Sequence, residues 1–266
     1  MAGKSKKEAR VISQRMLSDG IYDMWLETLI AGEVKAGQFV GVYPSNKSTL
    51  LPRPISICEV DAKISAIRLV YRVVGSGTSE FSQYKADEKI MLLGPLGNGF
   101  PLDKADGKKT VVIGGGIGVP PLLETVKRLM EMPEGSKPES VSAVMGYRNS
   151  DTFLSEEFEN LAKLYVASED GSVGTKGNVI DAMKQQKVPC DVIFACGPMP
   201  MLKGIKAYAE ENGIKAYLSL EERMACGVGA CLGCVCKTKN IDEHSHVNNA
   251  RICTDGPVFD AEDLDL

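Results

Sequence analysis

The sequence has no long apolar run. None of its apolar stretches approaches the roughly 20 consecutive residues that are needed to cross a bilayer, and no signal peptide opens the chain. The sequence therefore predicts a protein without a membrane span. We expect a cytoplasmic location, where thiols stay reduced.

The sequence also has no excess of positive charge. Its 31 Lys and Arg residues stand against 35 Asp and Glu residues, which gives a net charge of −4. This balance argues against a nucleic-acid partner. A hydrophobic fraction of 44% and a charged fraction of 25% are ordinary for a globular protein. At 266 residues the chain is long enough for two domains.

Cysteine is too sparse for a disulfide-stapled scaffold, since eight cysteines are spread over 266 residues. Four of them nevertheless form a pattern. Cys226, Cys231 and Cys234 are spaced Cys-x4-Cys-x2-Cys, and Cys253 follows. This is the plant-type spacing of the ligands to a [2Fe–2S] cluster. Three sulfurs from one short segment converge only if the loop curls tightly, and the intervening glycines allow that.

A zinc site is the alternative reading of these cysteines. It would combine Cys231 and Cys234 with the two histidines of the chain, His244 and His246, or with the other two cysteines of the motif. Zinc knuckles usually present two Cys-x2-Cys pairs, and here the first spacing is four. The spacing therefore favours the iron–sulfur cluster. Cys236, two residues beyond the third ligand, is interpreted as a non-ligand.

The chain changes character near residue 103. Before that point, β-branched residues alternate in short segments that are separated by turn signals. Six strands at this spacing predict an antiparallel β-barrel domain over residues 1–102. The predicted strands are Arg10–Ser13, Ile21–Thr28, Gln38–Tyr43, Pro54–Glu59, Ala66–Val73 and Lys89–Leu93.

From residue 103 the pattern alternates between strand and helix, which predicts a doubly wound parallel sheet over residues 103–222. Its predicted strands are Thr110–Ile113, Ser140–Gly146, Leu164–Ala167, Val192–Ala195 and Ile214–Ser219. Its predicted helices are Pro121–Glu131, Glu156–Lys163, Val179–Gln185 and Met199–Glu211. The remaining residues, 223–266, are predicted to form a small third unit with too little apolar content to fold without its metal.

A glycine-rich turn lies directly after the first strand of this second domain. Its residues are Gly114, Gly115, Gly116, Ile117 and Gly118. Such a turn before a helix lets backbone N–H groups approach a pyrophosphate. No acidic residue ends the second strand, where Tyr147, Arg148 and Asn149 stand instead, and this departs from the common NAD fingerprint.

A second short motif ends the fourth strand and reads Cys196, Gly197, Pro198 and Met199. The carboxyl ends of parallel strands share one edge of the sheet, so this motif is expected to face the same crevice as the glycines. Cys196 alone is readily explained as a buried residue at a strand end. The Gly-Pro turn that follows favours a position beside a nicotinamide.

Two segments of the barrel domain suggest a phosphate site. They are Arg53-Pro-Ile-Ser56 and Gly75-Ser-Gly-Thr78. A guanidinium such as that of Arg53 can pair with a phosphate through two hydrogen bonds. Taken alone, Arg53 is more often a surface ion-pairing residue, and the glycines more often form a plain turn.

Together these motifs resemble the ferredoxin–NADP reductase superfamily. The four-cysteine tail restricts the resemblance to one family within this superfamily. Two further segments, Gly94–Phe100 and Glu221–Cys226, point to the same family. With them the chain closely resembles the electron-transfer subunits of class B dihydroorotate dehydrogenase. The resemblance covers about residues 8 to 260.

This resemblance implies FAD on the barrel, NAD(H) on the second domain and a [2Fe–2S] cluster in the tail. It implies flavin contacts from Arg53, Pro54, Ile55, Ser56, Val70, Tyr71, Arg72, Gly77 and Thr78. Ile55 stands where the wider superfamily has a tyrosine, and Tyr71 is our candidate to replace that stacking ring. The resemblance also implies a separate FMN-bearing catalytic subunit, in a heterotetramer of two chains of each kind.

The resemblance further implies a relay in pyrimidine biosynthesis. Electrons from dihydroorotate would pass from the partner's FMN through the cluster and FAD to NAD⁺. No side chain of this chain needs to act as a general base, and the two histidines fit that expectation. The alternatives are a small subunit of an NADH-dependent ferredoxin–NADP oxidoreductase, of a sulfhydrogenase or of a sulfite reductase. A zinc-stabilised nucleotide-binding regulator would be a different class altogether.

Overall fold

A computed structural model of the chain describes residues 6–46, 48–241 and 246–266. Its N-terminal part is a closed antiparallel barrel with the strand order β1-β2-β5-β4-β3-β6. The strands are β1 (Lys6–Ser18), β2 (Ile21–Glu27), β3 (Phe39–Tyr43), β4 (Arg53–Asp61), β5 (Ala66–Arg72) and β6 (Lys89–Leu96). All six predicted strands are present, so the predicted barrel is confirmed.

The barrel closes around one hydrophobic core. Alternate side chains of a strand point to opposite faces, and Val11, Leu26, Ile67 and Leu92 come from four different strands and are fully buried together. A short helix, α1 (Ser76–Phe81), follows β5 and adds Phe81 to this core. The β-branched alternation in the sequence is thus the inward face of the barrel.

The second part is a seven-stranded sheet with the order β10-β9-β8-β7-β11-β12-β15. The strands from β10 to β12 in this order are parallel to their neighbours, and β15 is antiparallel to β12. The strands are β7 (Lys109–Gly115), β8 (Ser140–Tyr147), β9 (Lys163–Ser168), β10 (Thr175–Lys176), β11 (Val192–Cys196), β12 (Lys215–Ser219) and β15 (Val258–Asp260).

Helices cover both faces of this sheet, which confirms the doubly wound prediction. They are α2 (Pro121–Met130), α3 (Ser155–Glu159), α4 (Val179–Gln185) and α5 (Met199–Asn212). In β7, Val111 and Ile113 are buried with residues of α4 and α5, whereas Val112 is buried with residues of α2 and α3. The predicted helix Glu156–Lys163 was too long, because Lys163 pairs with Ser142 as the first residue of β9.

The C-terminal tail returns to the second domain. A two-stranded sheet of β13 (Val235–Lys237) and β14 (Asn249–Arg251) lies within it, and β15 then joins the edge of the large sheet beside β12. His244 lies outside the described residues. None of the helices in the described part of the chain has the length and apolar character that crossing a membrane requires.

Candidate functional site

The barrel wall opens where the two predicted flavin segments face each other. β4 pairs with β3 from Arg53 to Ser56, but it pairs with β5 only from Ile57 onward. On the other side of the gap, residues 70–72 of β5 continue to pair with β2. Main-chain groups along both sides of the gap therefore remain available to a ligand.

Arg53 lies directly across the Gly75–Thr78 turn, so the structure brings these two motifs together. A Cβ atom on Gly77 would lie 2.7 Å from Arg53 Nε, so a side chain there would displace the guanidinium. Arg53 Nη1 donates to the carbonyl of Leu51 at 2.7 Å. The Thr78 hydroxyl accepts from the Val74 and Gly75 N–H groups, at 2.9 and 3.2 Å, so it stabilises the turn itself.

The structure places Tyr71 differently from the stacking ring proposed from the sequence. Tyr71 is only 2% exposed, its hydroxyl donates to Gln14 Oε1 at 3.0 Å, and its ring packs against Tyr22 and Phe81 inside the barrel. Its side chain therefore presents no free face to a flavin. Arg72, the next residue, is partly exposed.

The glycine turn of the second domain touches the Cys196 motif. Gly114 and Cys196 are opposite each other in the β7–β11 register, and a Cβ atom on Gly118 would lie 2.4 Å from the carbonyl oxygen of Cys196. Both motifs thus form one edge of the sheet, as the sequence predicted. The N-termini of α2 and α5 start at this edge, where their dipoles favour an anionic ligand.

Met201 is a residue at this edge that the sequence analysis missed. Its sulfur would lie 2.4 Å from a Cβ atom on Gly115, and its methyl group 2.3 Å from one on Gly197. Met201 therefore fills the space between the two turns. Cys196 is almost fully buried, and burial raises the pKa of its thiol, so this thiol is neutral at neutral pH.

The two sites are neighbours. The end of β5, which borders the barrel opening, lies against Gly116–Gly118 of the glycine turn. Ile21 and Val70 of the barrel are buried together with Val119 and Leu122 of the second domain. A flavin in the opening and a nicotinamide at the turn would therefore be close to each other.

The four cysteines of the tail form two pairs. Cys226 lies beside Cys231, and Cys234 lies beside Cys253. Among the described residues, no three His, Cys, Asp or Glu side chains are grouped so as to hold one metal ion. Two pairs suit a binuclear cluster, in which each iron takes two thiolates, better than a single zinc ion with four ligands.

The pKa of Cys226 also fits a cluster, whereas burial raises the pKa of the Cys253 thiol to about 12. Cys234 and Cys253 are buried, at 2% and 0% exposure, whereas Cys231 is exposed. Burial tends to raise the pKa of Cys226, but backbone hydrogen bonds, including one from Val228 N–H at 3.4 Å, bring it down to about 6. Such N–H donors stabilise the thiolate form that binds iron.

The cysteine loop lies close to the flavin segment of the barrel. Ser56 is opposite Phe39 in the sheet, and Phe39 is opposite Leu96. The Leu96 side chain in turn lies 3.2 Å from the position of a Cβ atom on Gly227. Two strand spacings of about 4.8 Å therefore separate Ser56 from β6, the strand that the cysteine loop contacts.

Comparisons with known proteins agree with this geometry. The family described as the iron-sulfur cluster binding domain of dihydroorotate dehydrogenase B matches residues 221–265, and the oxidoreductase NAD-binding domain matches residues 112–207. The dihydroorotate dehydrogenase B (NAD(+)) electron transfer subunit of Geobacillus sp. (strain WCH70) is 40% identical over 265 residues, which cover 98% of this chain and 99% of the relative.

The chain belongs to the dihydroorotate dehydrogenase B electron transfer subunit family. The corresponding subunit of Streptococcus mutans is 41% identical over 263 residues, covering 98% of each chain. Family membership confirms the resemblance that the motifs indicated. Because the match runs from end to end, it includes the barrel, which lies outside the residues that these two domain families match.

Solved structures show the same fold. A structure of NADH-dependent reduced ferredoxin-NADP oxidoreductase superposes with a TM-score of 0.84 at 27% identity, covering 100% of this chain and 91% of that chain. The ferredoxin NADP+ reductase of Neisseria gonorrhoeae gives a TM-score of 0.67 at 14% identity, covering 83% and 95% of the two chains. The electron transfer subunit family thus shares the reductase fold of barrel and parallel sheet.

Gly118→Ala should damage the dinucleotide edge of this family member. The added Cβ atom would meet the Cys196 carbonyl at 2.4 Å, and such overpacking costs about 1–3 kcal/mol. We expect a lower urea midpoint and weaker NADH binding, measured by denaturation and by titration. Gly204→Ala is the matched control, because its Cβ atom meets nothing closer than 4.0 Å in α5. Equal urea midpoints and equal NADH affinities in the two variants would contradict the expected clash at Gly118.

Proposed function

We propose that this chain carries electrons between NAD⁺ and an FMN-bearing catalytic subunit that oxidises dihydroorotate. The relatives that match it over their full length are named as electron transfer subunits of dihydroorotate dehydrogenase B (NAD(+)). In this proposal the complex is a heterotetramer of two chains of each kind and serves pyrimidine biosynthesis. The domain assignment is a flavin barrel over residues 1–102, a dinucleotide domain over 103–222 and a cluster module over 223–266.

One observation carries this proposal: the three predicted sites are adjacent. The barrel opening adjoins the glycine turn at Gly116–Gly118, and the strand that bears Leu96 connects the opening to the cysteine loop at Gly227. Electron transfer falls steeply with distance, so a relay needs this proximity. A protein that merely bound a nucleotide would have no need for it.

Arg53 and the open edge of β4 are the proposed flavin contacts on this chain. The Arg53 guanidinium would donate to the FAD pyrophosphate, and the Ser56 hydroxyl, which has no hydrogen-bond partner within the described part of the chain, would reach the ring. Pro54, Ile55 and residues 70–72 would line the gap. When bound, FAD links the two-electron chemistry of NAD(H) to the one-electron chemistry of the cluster.

The glycine turn is the proposed NAD(H) contact. The backbone of residues Gly114 to Gly118 would receive the pyrophosphate, and the open space at the Cβ position of Gly116 would let the ligand approach. Residues Cys196 to Met199 would lie beside the nicotinamide. The thiol of Cys196 is buried and neutral, so we assign it a packing role at this edge and no proton transfer.

The pair of Cys226, which is partly buried, and Cys231, which is exposed, is the proposed exit toward the partner. Cys226 and Cys231 lie at the surface side of the loop, next to Val228 and Leu232, which are 43% and 56% exposed. Exposed apolar side chains around a redox centre suit a docking surface. We place the protein in the cytoplasm, where the free cysteines of the chain stay reduced and able to bind iron.

A second candidate is the small subunit of an NADH-dependent ferredoxin–NADP oxidoreductase. The TM-score of 0.84 to such a structure favours it. Both functions need the same three cofactors on this chain and differ in the partner that receives the electrons. The test that separates them is therefore coupling to a dihydroorotate-oxidising subunit.

The visible spectrum of the purified protein tests the proposed cofactors. We expect flavin and iron–sulfur absorption, two irons per chain, bleaching by NADH and no change with dihydroorotate alone. The dihydroorotate chemistry belongs to the partner in this proposal. A colourless protein that contains zinc would contradict the proposal and support the regulator.

Arg53→Ala should weaken FAD binding about ten- to a hundredfold, because a charge-assisted hydrogen bond contributes about 1.5–3 kcal/mol. The iron content should stay unchanged, since the cysteines lie in a different part of the chain. Flavin content after extensive dialysis is the measurement. Arg10→Ala is the control, because Arg10 pairs with Glu27 and Asp87 on the exposed side of the barrel. Unchanged flavin content in Arg53→Ala would show that Arg53 is an ordinary surface residue.

A further inference from the structure

The side chain of Asn98 connects the barrel–sheet linker to the cysteine tail. Its amide nitrogen donates to the carbonyls of Asp255 and Val258, at 3.0 and 2.8 Å. Its amide oxygen accepts from Val258 N–H at 3.1 Å. The main-chain N–H of Asn98 donates to the Gly256 carbonyl at 2.6 Å. Both amide protons and the amide oxygen are thus engaged with one turn of the tail.

The linker itself is held firmly on its other side. Phe100 N–H donates to the Ala36 carbonyl at 2.9 Å, and a Cβ atom on Gly99 would lie 2.7 Å from the same carbonyl oxygen. Gly97 has a φ of +75°, and its Cβ position lies 2.4 Å from Pro257 Cδ. The backbone of the linker is therefore in direct contact with the barrel on one side and with the tail on the other.

The turn that Asn98 holds lies between a proposed cluster ligand and the sheet. Cys253 precedes Asp255 by two residues, and Val258, which shares two hydrogen bonds with the Asn98 amide, is the first residue of β15 and lies opposite Ser219 of β12. Within the turn, Arg251 Nε donates to Asp255 Oδ2 at 3.0 Å. Asn98 thus ties the paired end of β15 to Asp255 and Gly256, and a shift of Asp255 and Gly256 would move Cys253 relative to the barrel while β15 stayed paired with the sheet.

Asn98 contributes little to any hydrophobic core, because it is exposed. Its three side-chain hydrogen bonds all go to main-chain groups of the tail. Removing the amide should leave the folds of the barrel and of the parallel sheet intact. The expected consequence is confined to the position and mobility of the tail.

We propose that Asn98 is a positioning residue that fixes the cluster-bearing tail against the barrel and so sets the separation between flavin and cluster. This inference rests on the proposed flavin opening and on the proposed ligands. It assigns no chemical step to Asn98. Loss of the amide should slow the transfer of an electron between flavin and cluster while the NADH–flavin step keeps its rate.

The experiment compares Asn98→Ala, Asn98→Asp and Asn212→Ala in the full-length holoprotein. In the asparagine control, the Asn212 amide donates to the Tyr208 carbonyl at 2.7 Å at the far end of α5. Rapid mixing with NADH measures flavin bleaching and cluster reduction separately. Hydrogen exchange measures the Val258 amide, and iron analysis measures cluster content.

For Asn98→Ala we expect wild-type iron content and flavin bleaching, and cluster reduction slowed about tenfold or more. The Val258 amide should exchange about tenfold or more faster, because the hydrogen bond from Val258 N–H to Asn98 Oδ1 is lost. Asn98→Asp should be at least as damaging despite its similar size, since a carboxylate only accepts and would face two carbonyl oxygens. Asn212→Ala should match the wild type in all four measurements.

Wild-type cluster reduction and Val258 exchange in Asn98→Ala would overturn the inference. Loss of iron, or equal slowing of flavin bleaching, would also overturn it, because either result assigns Asn98 to general folding. Failure of the proposed function looks different. In that case the unmodified protein itself would lack a cluster or would not pass electrons from NADH to it.

Discussion

Replacing Cys253 with serine is expected to remove the iron–sulfur cluster almost completely. Cys253 is fully buried and paired with Cys234, at 0% and 2% exposure. Serine keeps the size of the side chain but replaces the soft thiolate ligand that iron–sulfur clusters use. Iron and sulfide content should fall to near zero, and the visible absorption of the cluster should disappear while that of the flavin remains.

Cys236→Ser is the matched control for this result. Cys236 lies in β13, two residues after Cys234, and burial raises the pKa of its thiol to about 11. Cys236 stands outside the Cys-x4-Cys-x2-Cys motif and its distant fourth cysteine, and it lies opposite Ala250 in the small sheet, so this variant should keep its iron. If Cys236→Ser lost the cluster and Cys253→Ser retained it, the ligand assignment would be wrong.

Arg68→Ala should cause the largest loss of folding stability among single substitutions at charged residues. The Arg68 side chain is 4% exposed, and its Nε and Nη2 atoms donate to Asp23 at 2.8 and 3.0 Å. Nη2 also donates to Glu157 of α3 at 3.0 Å, which ties the barrel to the second domain. Removing one partner of a buried ion pair costs about 3–5 kcal/mol.

Urea denaturation measures this effect, and the chain offers a close control. Arg15 pairs with the same carboxylate of Asp23 at 3.2 Å, but its side chain is 68% exposed. An exposed ion pair contributes about 0–1 kcal/mol, so Arg15→Ala should lower the free energy of unfolding far less. If the two variants lost a similar free energy of unfolding, burial of Arg68 would not be what makes its ion pair important for stability.

Much of the fold could be predicted because it depends on local periodicity. The six barrel strands and five strands of the sheet follow from alternation or from continuous apolar runs, and the structure confirms them. The two-residue strand β10 and the edge strand β15 could not be predicted in this way. Each is short and is defined by its pairing with another strand, β9 for Thr175 and β12 for Val258, and the residue pattern of two or three positions does not indicate that pairing.

The candidate site, like the fold, could be predicted from the sequence only in part. The glycines were predicted as positions where a ligand phosphate approaches the backbone, and that stays a prediction. The contacts of Gly77 with Arg53 and of Gly118 with Cys196 are contacts within the chain that the sequence did not indicate. The direction in which a side chain points was harder to predict. Tyr71 was placed on the flavin side although strand alternation directs it into the barrel core. The hydrogen bonds of Asn98 join residues about 160 positions apart and had no local signal.

The most direct test of the whole account is reconstitution with an FMN-containing dihydroorotate dehydrogenase subunit. The measurement is orotate formation from dihydroorotate, followed with NAD⁺ as the only electron acceptor. The account predicts NAD⁺-dependent orotate formation that stops with Cys253→Ser, while the reduction of flavin by NADH continues. Orotate formation by this chain alone, or no coupling to any such subunit, would contradict it.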